Sequence, residues 1–355
     1  MGSKGDTTNN GNSRIVGGVT IQDNNYPFSV LIKLKYNKKN VAMCGGSIIS
    51  KDWILTAAHC LVIVDGDRKG ELNRTDFLVN GLMPNNKRML YKRPMLKNEI
   101  NYVVADPSMI TIGYGSPSKA SMSIASASAV VVHPELNLFD YENDIALIKL
   151  ANPVEFSSTV KPIKIASAEI SNNLNLLAVG WGVTANNSLV IPNTMRGVVL
   201  KTGDSSQCKL PWNNFTDNNS GQICCPTYKG KDTCFGDSGG PLLATEDDPL
   251  NSNKQNNYDN LRLVGVTSFG DTVDGETYQC ADPNGVGYYT RAGYYLDFIS
   301  KNTDLPASEI STNGRLIDTN IKDVDVAVSF TNRLEVKGSY FFVSLMCFFF
   351  WTGVL

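Results

Sequence analysis

Histidine is scarce in this chain: 355 residues hold two, His59 and His133, so a base working near neutral pH has only two candidates. Charge of one sign is not in excess either. The formal net charge is −2, which removes the electrostatic case for nucleic acid or for an anionic membrane surface. No CxxC…CxxC spacing occurs, which argues against a structural zinc site. No internal repeat stands out, and few long helical periods occur before residue 291. The first residues, MGSKGDTTNNGNSR, have no apolar core and do not read as a secretory leader. They also miss the myristoylation pattern, because Asp6 stands where Ser or Thr is wanted. The expectation is that the true start lies upstream.

What is present points to a globular, exported protein. Apolar residues make up 42% and charged residues 19%, enough to build a core. Eight cysteines, at 44, 60, 208, 224, 225, 234, 280 and 347, suit disulfides in an oxidising compartment. Four Asn-x-Ser/Thr tripeptides, at Asn73, Asn186, Asn214 and Asn218, point the same way, although Asn-rich sequence produces them by chance.

Residues 1–14 are polar and read as a leading segment; the rhythm changes at Ile15. Short runs such as FSVLIKL, WILTAA, MITIGYG, IALIKL, LLAVGWG, GVVLK and LRLVGVTSF alternate with Gly, Pro and Asn. This is the pattern of an all-β barrel or sandwich. RAGYYLDFISK, at 291–301, reads as a terminal helix with one apolar face. Residues 62–108 look inserted, and their basic run KRMLYKRPMLK at 87–97 reads as a solvated loop. Residues 246–260 form a second polar loop. A polar linker at 302–339 leads to YFFVSLMCFFFWTGVL at 340–355, sixteen residues without charge. That is shorter than the roughly 20 residues of a spanning helix. A lipid-anchor signal ends in a tail of this length, so membrane attachment through it is expected.

The chemistry gathers at three places. His59 lies in ILTAAHC, after a strand-like run; a serine nucleophile needs such a base to take its proton. Asp144, in YENDIALIKL, stands before an apolar strand, where a carboxylate can orient the base. Ser238, in GDSGG, has small neighbours, and the N–H groups of Gly236 and Ser238 could meet at one point as an oxyanion hole. A Gly-rich turn alone does not explain the full KDTCFGDSGGP beside the other two motifs. An esterase elbow would place its GxSxG between strand and helix and its histidine last; here GDSGG leads into PLLAT and His59 comes first.

CGGSIIS…WILTAAHC, NDIALIKL and KDTCFGDSGGP, in that order, resemble a trypsin-like serine protease of the chymotrypsin family over roughly residues 15–301. The resemblance implies two antiparallel six-stranded β-barrels with a C-terminal helix and the active site between them. It implies His59 as general base, Asp144 as its orienter and Ser238 as nucleophile. RIVGG at 14–18 resembles the family's activation site: cleavage after Arg14 would free an Ile15 ammonium to pair with Asp237. Asp232 matches the base of the specificity pocket, Gly270 and Gly287 its walls, and Ser268 a residue near the triad that binds substrate backbone. A carboxylate at the bottom of such a slot selects Arg or Lys. The resemblance pairs Cys44 with Cys60, Cys234 with Cys280 and Cys208 with Cys224; Cys225 stands beside Cys224, and either could be the partner of Cys208. Phe235, Phe269 and Val286 depart from common family residues. No cofactor and no metal ligand set is read, and the insertion prevents a calcium site from being carried over. Expected partners are proteins or peptides with Arg or Lys before the cleaved bond, and proteinaceous inhibitors, outside the cell or at its surface. The rival from another class is a binding protein that has kept the fold and lost catalysis.

Overall fold

The structure is a computed structural model and describes residues 18–21, 24–35, 41–64, 101–184, 191–210, 213, 215–247, 258–273 and 279–319. The strands are β1 (Val19–Thr20), β2 (Ser29–Lys35), β3 (Val41–Ile48), β4 (Trp53–Thr56), β5 (Val62–Val64), β6 (Tyr102–Val104), β7 (Ile110–Tyr114), β8 (Ser123–Val132) and β9 (Ala146–Leu150) in the first half. The second half holds β10 (Ile165–Ala166), β11 (Asn175–Gly180), β12 (Arg196–Lys201), β13 (Gln222–Pro226), β14 (Pro241–Glu246), β15 (Leu261–Thr272), β16 (Gly285–Arg291), β17 (Ser311–Thr312) and β18 (Leu316–Ile317). Two α-helices follow β16: α1 (Leu296–Thr303) and α2 (Ala307–Ile310). The turn Ala292–Tyr295 is 3₁₀, so the α-helix starts five residues after the point where the sequence pattern begins.

In the first half β2-β3-β4-β9-β8-β7 close into a barrel, filled by Val30, Ile32, Ile48, Ile54, Ile112 and Ile148. β-branched residues dominate because they suit a pleated, buried surface. In the second half the six-strand path β12-β11-β14-β15-β16-β13 is continuous, but no strand ladder joins β13 back to β12. That seam is bridged instead by Gly203 N–H donating to Cys224 O at 3.0 Å, and by Asn218. The Asn218 amide donates to Gly203 O at 2.8 Å and its oxygen accepts from Cys224 N at 3.0 Å. Asn218 is buried, and its amide nitrogen is engaged. This corrects the reading of Asn218 as a glycan acceptor, since a sugar-bearing asparagine must reach solvent. The other three tripeptides have their asparagines outside the described residues.

The insertion expected at 62–108 is ordered at both ends. β5 and β6 pair antiparallel, Val62 opposite Val104, and Ala105 N–H donates to Leu61 O at 2.8 Å. Residues 65–100, including the basic run, lie outside the described residues. The linker expected from 302 is structured as far as Thr319: β17 joins β10 in parallel and β18 joins β14 antiparallel. Ile310 is buried, Gly314 N–H donates to Glu246 Oε1 at 2.7 Å, and Thr319 N–H reaches Asn175 O at 3.1 Å. Glu246 is also held by Arg262 at 2.6 Å. Residues 304–319 are therefore a strap across the second half. Among the described residues no helix is long and apolar enough to cross a membrane; the tail at 340–355 lies outside them.

Candidate active site

The register of two neighbouring strands brings the first pair of residues together. β4 and β9 pair with Thr56 opposite Ala146. The chain continues from Thr56 into a 3₁₀ turn that carries His59, and Asp144 stands two residues before β9, so both arrive at the same rim. His59 Nδ1 lies 2.7 Å from Asp144 Oδ2, and the His59 backbone N–H donates to Asp144 Oδ1 at 2.8 Å. The second half secures the same carboxylate: Ser268 Oγ donates to Asp144 Oδ2, and Thr290 Oγ1 donates to Asp144 O at 2.9 Å. Ser268 occupies a bulge in β15, where the register with β16 slips between Thr267 and Phe269. A bulge re-aims a side chain, and here it turns the hydroxyl onto Asp144. Burial pushes the Asp144 pKa up, but the His59 ring and the hydrogen bonds from His59 and Ser268 outweigh it and hold the carboxyl below its usual range.

Ser238 lies in the turn between Cys234 and β14. Its carbonyl accepts from Gly45 N–H at 2.7 Å, which seats the turn on β3. Gly239 has φ +77°, and a Cβ there would lie 2.6 Å from Gly45 O and 3.3 Å from Ala57 N, so only glycine lets the turn approach the segment that carries His59. Asp237 N–H donates to Cys234 O at 3.0 Å, whereas the N–H groups of Gly236 and Ser238 on either side find no acceptor among the described residues. Gly236, at φ +94°, makes that geometry available. Two such donors flanking one residue can stabilise an oxyanion where they converge.

Asp237 is buried. Its Oδ1 accepts from Gly182 N–H at 2.8 Å and its Oδ2 from Cys234 N–H at 3.0 Å. Burial pushes its pKa up to about 6; the two hydrogen bonds oppose the rise and the Asp232 charge adds to it. Arg14 and Ile15 lie outside the described residues. Asp232, also buried, accepts from Ala281 N–H at 3.1 Å. Gly270 and Gly287 stand directly opposite each other in the β15–β16 ladder, and a Cβ on Gly287 would sit 3.4 Å from Asp232 Oδ1. A side chain at Gly287 would therefore press on that carboxylate and on the Tyr289 hydroxyl. Beside it, Thr233 Oγ1 and Tyr289 Oη are 2.9 Å apart.

Three disulfides form: Cys44–Cys60, Cys208–Cys224 and Cys234–Cys280. Cys225 is a free thiol. Successive strand residues face opposite sides: Cys224 packs with Cys208, Leu210 and Tyr288, while Cys225 points into the core with Ile223, Leu242 and Tyr289. Burial raises the Cys225 thiol pKa far above its ordinary value. Cys44, His59 and Cys60 lie close together, but both sulfurs are bound to each other, so no thiolate ligand exists for a metal.

Thr290, Tyr289 and the Gly180–Gly182 pair carry no motif of their own, and Thr233 lies within KDTCFGDSGGP with no role that the sequence assigns to it. Tyr141 was passed over too. Its ring meets His59 edge to face at 5.8 Å and stacks on Phe269 at 4.9 Å; Phe269 in turn stacks on Tyr288 at 4.7 Å. The aromatic run YY at 288–289 was the one available signal, and only for that end of the stack.

A family model described as Trypsin matches residues 15–76 and 102–299. A trypsin from Phaedon cochleariae is 27% identical over 301 residues, covering 83% of this chain and 91% of the relative. A brachyurin from Leptuca pugilator is 28% identical, covering 82% of this chain and 99% of the relative, and an anionic trypsin from Bos taurus is 27% identical, covering 81% and 89%.

Proposed function

The chain belongs to the trypsin family, and on that premise we propose that it is a serine endopeptidase cutting after Arg or Lys. The observation that carries the reading is the buried His59–Asp144 pair, with the Ser238 turn seated against the same strand ends. In the proposed reaction His59 Nε2 takes the proton of Ser238 Oγ as that oxygen attacks the substrate carbonyl. Asp144 holds Nδ1–H and stabilises the imidazolium. The oxyanion is bound by the N–H groups of Gly236 and Ser238, each such donor contributing on the order of 10²–10³ in rate. His59 then returns the proton to the leaving amine, and water hydrolyses the acyl-enzyme by the same steps. Asp232 receives the cationic side chain before the cleaved bond, between Gly270 and Gly287.

The proposal extends to regulation and setting. Asp237 carries a carboxylate in a site that raises its pKa, and a cation would relieve the cost. The Ile15 ammonium, released by cleavage after Arg14, is the proposed cation. Three disulfides suit an oxidising compartment, outside the cell or at its surface, with the apolar run 340–355 as the attachment. Proteinaceous inhibitors that present Arg or Lys in an extended loop would fit the same cleft.

The test is hydrolysis of an Arg-ending peptide amide after cleavage at Arg14, with labelling by an active-site serine reagent. Ser238→Ala is expected to lower kcat by at least about 10⁴-fold and to abolish labelling; an unlabelled native chain would instead support the binding-protein reading. Asp232→Ser is expected to remove the preference for Arg and Lys, and an unchanged preference would sink the pocket assignment.

A further inference from the structure

The aromatic contact on His59 comes from a loop with unusual backbone restraint. Between β8 and β9 the chain bends through Glu135 to Asp144. Asn137 N–H donates to Glu142 O at 3.0 Å, Phe139 N–H to Asn137 Oδ1 at 3.0 Å and Asn143 Nδ2 to Glu135 O at 2.9 Å. Tyr295, just before α1, fixes the loop from outside by donating to Asn143 Oδ1 at 3.1 Å. Within this frame Tyr141 and Asn143 both sit at φ +55°, in the left-handed region that residues other than glycine seldom occupy. Such strain persists only where the surroundings over-determine it, and it clusters at working sites. The side chain delivered by the strain at Tyr141 reaches across the cleft to Phe269, in the other half of the molecule.

We propose that Tyr141 is a positioning residue for His59. Asp144 secures one edge of the imidazole at Nδ1, and packing against the ring limits its rotation about that hydrogen bond. The ring of Tyr141 supplies that packing, and Phe269 holds Tyr141 in turn. Phe269 follows Ser268 directly, so two successive residues of the β15 bulge grip the pair: Ser268 through the Asp144 carboxylate, Phe269 through the aromatic stack. The backing is firm, because Phe269 lies nearly parallel to Tyr288, which is fully buried and donates from its hydroxyl to Cys208 O. Alignment of the base with its nucleophile matters to the chemical step and not to substrate binding.

This inference rests on the protease reading, and the experiment separates the two. The substrate is acetyl-arginine p-nitroanilide, which has no residue before the arginine that could touch Tyr141. Tyr141→Ala is expected to lower kcat about three- to tenfold with KM within about twofold, the range in which aromatic pairs act. Tyr141→Phe keeps the ring and is expected to recover kcat to within about twofold of native. Phe269→Leu leaves the strained loop intact and is expected to lower kcat similarly, with the double variant no worse than the worse single one. An unchanged kcat for Tyr141→Ala on this substrate overturns the proposal, including the case where only longer peptides are affected, because Tyr141 then merely contacts substrate. Strictly additive losses overturn it as well. A native chain that neither cleaves the substrate nor takes up a serine reagent removes the protease reading, and the positioning role with it.

Discussion

In the first half of the molecule six strands return on themselves through successive ladders, and the ring β2-β3-β4-β9-β8-β7 is complete. In the second half the path β12-β11-β14-β15-β16-β13 stops one seam short, and side chains and turns do what a ladder does elsewhere. The difference tracks the chemistry. His59 and Asp144 depend on strand register, which the closed barrel enforces. Ser238, Asp237 and Asp232 stand on turns of the second half, whose geometry depends on glycines, a disulfide and buried carboxylates. Closed ladders hold position without further help, whereas turn-built sites remain adjustable, which suits the activation by cleavage proposed above.

The contrast can be broken most severely at the strap. A chain ending at Thr303 retains the whole family match but loses Ile310, β17, β18 and the Gly314–Glu246 bond. Buried apolar area and several buried hydrogen bonds together are worth about 3–5 kcal/mol. We expect that chain to melt about 10 °C lower, while one ending at Thr319 melts as the full chain does. Equal melting of the two truncated chains would show the strap to be a passenger.

Asp237 gives a somewhat smaller effect with a defined sign. Its folded pKa, about 6, lies above the ordinary 3.8. The stability this group contributes is therefore complete below about pH 4 and is lost as the pH rises through about 6. At 1.36 kcal/mol per unit the loss is about 3 kcal/mol. In chain not cleaved at Arg14, the unfolding free energy of the native protein minus that of Asp237→Asn should fall by this amount between pH 4 and 7. A difference that stays flat, or rises, would mean that the carboxylate already has a cationic partner.

The smallest expected effects come from setting the open seam against the closed ring. Asn218→Ala removes its bonds to Asn172, Gly203 and Cys224 and leaves buried backbone groups unpaired, at a cost of about 2 kcal/mol in urea unfolding. A substitution on the closed ring that spares its ladders, such as Ile148→Val, should cost about 1 kcal/mol. If both cost the same, the seam is no weaker than the ring.

Much of the candidate site was legible because its residues are packed into short motifs. His59 with Cys60, Asp144 before an apolar strand, and the eleven residues from Lys231 to Pro241 each carry several constraints at once. The ends of the insertion and the strap do not read as strands in the sequence, because three-residue and two-residue strands such as β5 and β17 hold too few positions for alternation to register. Asn218 was misread for a related reason: a tripeptide says nothing about whether its asparagine is spent on the backbone of a distant strand.

By itself the sequence determined which residues are chemically capable: a histidine beside a cysteine, carboxylates at 144, 232 and 237, and a serine among glycines. It also determined the strand-rich class, since periodicity and turn residues are local properties. Only the tertiary structure decided which long-range partners meet. The bulge that turns Ser268 onto Asp144 and the stack that lays Tyr141 between His59 and Phe269 join residues more than eighty positions apart. The choice of Cys224 over Cys225 as the partner of Cys208 was settled in the same way, by which side of one strand faces the core. Contacts of this kind depend on register and packing, which no short window of sequence contains.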